Sequence, residues 1–289
     1  MLLSLVLTAI VAQTPQEALG ERFEQTVESL AQRVDGIVGV TIIDLATDES
    51  FSVHGDVVFT QASAIKLPIL VELFRQVEAG EHDLEEIIAL QPSDITPGSG
   101  VLQQLTAGSV SMTLRDVATL MITVSDNTAT NMIIDRVGME NVNATMARLG
   151  LSHTKLQRKM MDTEAWLADR ENLSTPNEQA RLLVKLHRGE VLSDASREEL
   201  LRILSIPKSS RIRAQLPPGT RVAHKTGSVP GVVVDVGIVY LEDRPFVVAA
   251  MANWLTDAED AERAIAEISL AAHQHFDRLQ NSNSYGHRK

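Results

Sequence analysis

The sequence has no cysteine. That absence removes disulfides, thiolate zinc sites and a thiol nucleophile from consideration. Aromatic residues make up only 3% of the chain, so a core has to be filled by Leu, Val, Ile, Ala and Met. Basic residues are outnumbered by acidic ones. The formal net charge of -12 argues against a nucleic-acid partner, because phosphate binding needs a basic face. The histidines show no His-Glu-x-x-His or similar metal-binding spacing, so neither a metal nor a cofactor is expected. Long apolar runs are missing beyond the first dozen residues, which leaves no other segment able to cross a membrane.

That first run, Met1 to Ala12, is followed by polar Gln13-Thr14-Pro15-Gln16. It has the form of a secretory signal peptide, although its start carries no Lys or Arg. Export is the expectation, to a periplasm or the medium, with a membrane tether if the segment stays uncleaved.

What is present is an ordinary globular composition on 289 residues, enough for one large domain or two interleaved ones. Leu19, Phe23, Val27, Leu30 and Val34 recur at three and four, which predicts an amphipathic helix over 16–34. Gly36 to Ala46 is rich in β-branched residues and reads as a strand, turned at Thr47-Asp48 into a second near Phe51 to His54. A mostly helical stretch follows from about Ala64 to Ser205. Strand character returns at 221–226, 235–241 and 245–252, the last two joined by a short turn at Glu242-Asp243-Arg244. A final helix is expected over 257–279. The fold class is therefore α/β: an antiparallel sheet flanked by N- and C-terminal helices, with an inserted all-helical lobe. The α/β lobe takes 17–58 and 212–279, the helical lobe 59–211, and 280–289 is expected as a disordered tail.

Three Ser-x-x-Lys patterns occur, at Ser63-Lys66, Ser152-Lys155 and Ser205-Lys208. In a helix this spacing puts a hydroxyl and an amine on one face, where a neutral lysine can take the serine proton. Two further motifs choose among them. Ser125-Asp126-Asn127 follows an amphipathic helix, and Lys225-Thr226-Gly227 lies on a β-rich segment. Only Ser63 precedes both, and Pro207 falls inside the third match.

The ordered set resembles the class A β-lactamases and penicillin-binding serine hydrolases. Pro97-Gly98-Ser99-Gly100, Ser174-Thr175-Pro176 and Leu216-Pro217-Pro218-Gly219 extend the likeness over about 17–279. The resemblance implies that Ser63 attacks an amide carbonyl while Lys66 helps to remove its proton. The N–H groups of Ser63 and Ser228 would form an oxyanion hole. Ser125 would relay the proton to the leaving nitrogen, and Lys225 would set the positive field. Asn127 would hold the substrate amide. Thr226, Gly227 and Ser228 would receive its carboxylate together with an arginine. Arg211 matches one family position for that arginine; the alternative position is Val234 here. Arg211 also reads as an ordinary solvated charge.

One element of the family pattern is missing. Class A β-lactamases carry a glutamate in their Ω-loop that activates the water for deacylation, and Met160 falls at that place in the stretch from Leu156 to Glu164. A thioether is no general base. Asp162 and Glu164 are the nearby carboxylates that a rearranged loop could aim at the site, and both also read as loop-holding or helix-capping residues. The resemblance thus leans toward the family's DD-peptidases, acting on peptidoglycan stem peptides ending in D-Ala-D-Ala. The alternatives are a true β-lactamase using another base and a non-hydrolytic penicillin sensor. The expected partner is a small β-lactam or stem-peptide substrate, bound by a monomer.

Overall fold

The computed structural model describes residues 13–289. The expected signal segment, 1–12, lies outside the described residues. Helix α1 (Pro15–Gln32) opens on a capping box in which Thr14 and Glu17 satisfy each other's backbone N–H, with proline in the first turn, where it costs no hydrogen bond. It buries Phe23, Val27 and Ala31. Strands β1 (Ile37–Asp44) and β2 (Ser50–Val53) form the expected hairpin, turning through Asp48 at φ 66°. Short β3 (Phe59–Thr60) leads into a 3₁₀ turn at Ala62–Ile65 and then α2 (Lys66–Glu78).

The helical lobe continues with β4 (Ile87–Ala89), which pairs with β5 (Ser111–Thr113), and with α3 (Leu114–Thr123), α4 (Asn127–Val137) and α5 (Met139–Arg148). Then come α6 (Thr163–Leu167), β6 (Leu173–Ser174), α7 (Pro176–His187) and α8 (Asp194–Ser205). Strands β7 (Val222–Val229), β8 (Val232–Val239) and β9 (Phe246–Asn253) complete the main sheet, and α9 (Ala258–Gln280) closes the described chain's regular structure.

The main sheet runs β2-β1-β9-β8-β7, antiparallel throughout. The first long strand therefore pairs with the last, and the two ends of the chain build one layer around the inserted lobe. Both faces are covered, which is why β9 reads Phe-Val-Val-Ala-Ala-Met-Ala with no polar alternation. Along β8, Val233 and Val239 face the core under α1 and α9, whereas Val234, Val236 and Ile238 face the helical lobe. Helix α2 lies at the centre of that lobe. Its Leu67, Ile69, Leu70 and Leu73 are fully buried, each contributing about 1.5–3 kcal/mol.

Two features differ from expectation. The paired fragments β3–β6 and β4–β5 interrupt the stretch read as helical, because two or three residues cannot show a period. Residues 281–289, expected as a disordered tail, fold back on themselves: Ser282 bridges Arg288, and Asn283 N–H donates to the His287 carbonyl at 2.9 Å.

Candidate active site

Ser63 sits in the 3₁₀ turn that feeds α2, one residue after Ala62, whose φ of 44° is unusual for a side chain other than glycine. The kink lifts Ser63 to the head of a buried helix. Strand β7 passes alongside at close range. A Cβ on Gly227 would stand 2.9 Å from Ser63 N and 2.5 Å from Gln61 O, so only glycine permits this approach. The adjacent Ser228 is thereby carried to the Ser63 backbone.

Lys66 is fully buried and its Nζ donates to the Ser125 carbonyl (2.6 Å), Ser125 Oγ (3.0 Å) and Asn127 Oδ1 (3.0 Å). Lys225 is equally buried, and its Nζ donates to the same Ser125 Oγ at 3.1 Å and to the Thr226 carbonyl at 2.7 Å. Burial, then the neighbouring Lys225, pushes Lys66 well below the ordinary lysine range, against the pull of Asp126. Burial, then the charge of Lys208, brings Lys225 down to about 7, with Asp235 opposing and Arg211 adding to the shift. The three motifs thus converge on one hydroxyl shared by two amines of lowered basicity.

Ser125 occupies the α3–α4 turn at φ 54°. Asp126, next to it, caps α4 through Ala129 N (2.9 Å) and also accepts from Val101 N (2.6 Å) and Leu102 N (2.8 Å). The Pro97–Leu102 loop is thereby fastened to the motif. Asn127 donates to the Pro97 carbonyl at 3.0 Å, so both ends of its amide are held.

A cavity of about 270 Å³ opens onto Ser63, bounded on one side by Gly98 and Asn127, on another by Ser228 and Val229, and on the Ω-loop side by Arg158, Met160 and Glu171. Asn131 on α4 clamps Met160 at both backbone groups, accepting from its N–H at 2.9 Å and donating to its carbonyl at 3.1 Å.

The chain matches the β-lactamase enzyme family over residues 22–276. It belongs to that family. A β-lactamase of Sphaerobacter thermophilus is 37% identical, with a TM-score of 0.82 over 89% of this chain and 97% of that one. The penicillin-binding protein PBP-A is 35% identical, with a TM-score of 0.81 over 89% of this chain and 97% of its own. A leucine-to-glutamate variant of PBP-A forms an acyl-enzyme with penicillin G. A Citrobacter koseri β-lactamase is 26% identical over 280 residues, covering 94% of each chain. This chain is therefore a serine hydrolase of the class A β-lactamase type.

Not every candidate reaches the cavity. The Arg211 guanidinium is turned onto Glu262 of α9, with Nη2 at 2.6 Å and Nε at 3.0 Å from one oxygen, so this arginine is engaged elsewhere. Asp162 caps α6, accepting from Ala165 N at 2.9 Å, and Glu164 is exposed on the first turn of that helix. Neither lines the cavity. Capping claims Asp162 because its short side chain matches the unpaired N–H groups of the helix start. Glu171 does line it, and motif spacing gave no sign of this residue. The signal was the pairing of β3 with β6, which the sequence pattern hides.

Proposed function

We propose that this chain is an exported DD-peptidase acting on D-Ala-D-Ala-terminated stem peptides as a monomer, and that β-lactams acylate it and leave slowly. The observation that carries the reading is Met160. It is clamped by Asn131 at the Ω-loop wall of the Ser63 cavity, where a hydrolytic β-lactamase needs a carboxylate. The likeness to PBP-A, a leucine-to-glutamate variant of which forms an acyl-enzyme with penicillin G, supports the acylation step.

In this reading neutral Lys66 takes the Ser63 proton as Oγ attacks the carbonyl carbon. Negative charge gathers on the carbonyl oxygen, which the N–H groups of Ser63 and Ser228 receive. The C–N bond breaks, and Ser125 passes a proton from Lys66 to the leaving nitrogen. Its hydroxyl already lies 3.0 Å from Lys66 Nζ and 3.1 Å from Lys225 Nζ. Charged Lys225, with Thr226, Gly227 and Ser228 around it, receives the substrate carboxylate, and Asn127 holds the amide. Arg211 does not assist, since Glu262 holds its guanidinium.

The test mixes purified protein with a chromogenic cephalosporin and follows both colour and intact mass. One equivalent of colour with a lasting adduct, absent in Ser63→Ala, is expected, together with D-alanine release from a D-Ala-D-Ala peptide. Met160→Glu should shorten the adduct lifetime by about 100-fold, the usual scale of general-base assistance. Many rapid equivalents without adduct would instead make the wild-type protein a β-lactamase, as most of its curated relatives are named. A lasting adduct without peptide turnover would make it a sensor.

A further inference from the structure

The acyl group on Ser63 must be released if the enzyme is to turn over, and neither Asp162 nor Glu164 is placed to help. Another carboxylate is. Strands β3 and β6 pair Phe59 with Ser174 and Thr60 with Leu173. The pairing continues one step further, with Gln61 N–H donating to the Asn172 carbonyl at 2.8 Å and Gln61 Nε2 to the Leu173 carbonyl at 2.7 Å. The next pair in this register is Ala62 and Glu171. The returning arm of the Ω-loop therefore delivers Glu171 opposite the residue that precedes the nucleophile.

Glu171 lines the Ser63 cavity, and among the described residues it is the one acid that does so. Arg158 fixes it, with Nη2 at 3.0 Å and Nε at 3.3 Å from Oε2. Asn172 holds the two arms of the loop together, accepting from Gln157 N (2.8 Å) and Arg158 N (3.1 Å). Glu171 Oε1 has no hydrogen-bond partner among the described residues. The result is a carboxylate with one oxygen anchored and the other free, in the same cavity as Ser63.

We propose that Glu171 is the base that activates the water releasing the acyl group from Ser63. The inference rests on the reading of Ser63 as the acylated nucleophile. Glu171 Oε1 takes a proton from water as the water oxygen bonds to the acyl carbon. The electron pair moves onto the carbonyl oxygen, held by the N–H groups of Ser63 and Ser228. On collapse the C–Oγ bond breaks, and Ser63 Oγ recovers the proton that Glu171 took from the water. The product acid ionises to solvent, leaving Glu171 a carboxylate and Lys66 neutral, as before acylation. Release through Glu171 is expected to be slower than acylation, so that the adduct accumulates.

The experiment acylates the full-length protein with penicillin G, removes the excess and follows adduct decay by intact mass. Acylation rate is measured separately on each variant. Glu171→Gln should lower the ratio of decay to acylation rate by about 100-fold. Arg158→Met breaks the same ion pair but keeps the carboxylate, and its adduct should decay at least as fast as that of the wild type. If both substitutions prolong the adduct alike, the pair only holds the loop and the proposal falls. Decay of the Glu171→Gln adduct at the wild-type rate overturns it equally. Should Glu171→Gln not fold, a prolonged adduct in Arg158→Met still decides against it. Failure of the wild-type protein to form any adduct would count instead against the functional reading on which the proposal rests.

Discussion

Ser125 Oγ stands between two buried amines, Lys66 at 3.0 Å and Lys225 at 3.1 Å, and two ammonium charges there would repel strongly. Acylation as proposed needs Lys66 neutral and Lys225 charged. The pKa of Lys225 is lowered to about 7, so its proton is present below that pH and lost above it. The second-order acylation constant of the wild-type protein should therefore fall by about tenfold per pH unit above neutrality. In Lys225→Arg, where the cation cannot be deprotonated, that basic limb should vanish. Stopped-flow acylation with a chromogenic cephalosporin between pH 6 and 9 checks this. Persistence of the limb in Lys225→Arg would remove Lys225 from the scheme. The meeting of Lys66, Ser125 and Lys225 beside Ser63 was legible in the sequence because three short motifs of fixed residue type occur there in order. Arg211 and Glu171 were not. Where a guanidinium points depends on Glu262, which is 51 positions away in sequence, and the place of Glu171 depends on a two-residue strand pairing.

At the level of elements, the α3–α4 turn carries the serine of the second motif, and Asp126 governs that turn. Its carboxylate caps α4 and draws in two backbone N–H groups from the Pro97–Leu102 loop while being nearly inaccessible. Asp126→Ala would leave three donors without partners and should lower the unfolding free energy by about 3 kcal/mol. Gly100→Ala should destabilise through the same joint. Gly100 adopts φ 113°, and a Cβ there would meet Asp126 Cγ at 2.3 Å. Urea denaturation of both variants checks the pair; a Gly100→Ala protein as stable as wild type would show that the loop is not fastened here. The long helices were readable from their period, whereas capping residues such as Thr14 with Glu17 emerged only from the structure. The sheet strands were readable from β-branched runs, with ends displaced by a few residues. β7, expected to stop at Thr226, runs on to Val229 and turns directly into β8. That extension matters, because it is what places Ser228 beside Ser63.

For the molecule as a whole, the two ends of the described chain are joined by β1 pairing with β9 and by α1 packing on α9 across one face of the sheet. Composition and element order made that interleaving legible, whereas the partners inside the seam were not. His275 of α9 is buried there, stacked on Phe23 of α1 at 4.4 Å and edge-on to Phe51 at 5.6 Å, with both ring nitrogens unpaired among the described residues. Burial, then Arg244 and Arg278, lowers its pKa to about 4, against the opposing charge of Asp44. In the unfolded chain a histidine titrates near 6.5. Between those values the unfolded state binds the proton more readily, so stability is complete above about pH 6.5 and drains away as pH falls toward 4. The loss from this one group is about 3 kcal/mol over that interval. His275→Leu keeps an apolar body in the seam and removes the titration. Denaturant unfolding at pH 7 and pH 4.5 should show the wild-type protein losing more stability than the variant. Equal losses would mean that the joint between the chain ends is not what acid attacks first.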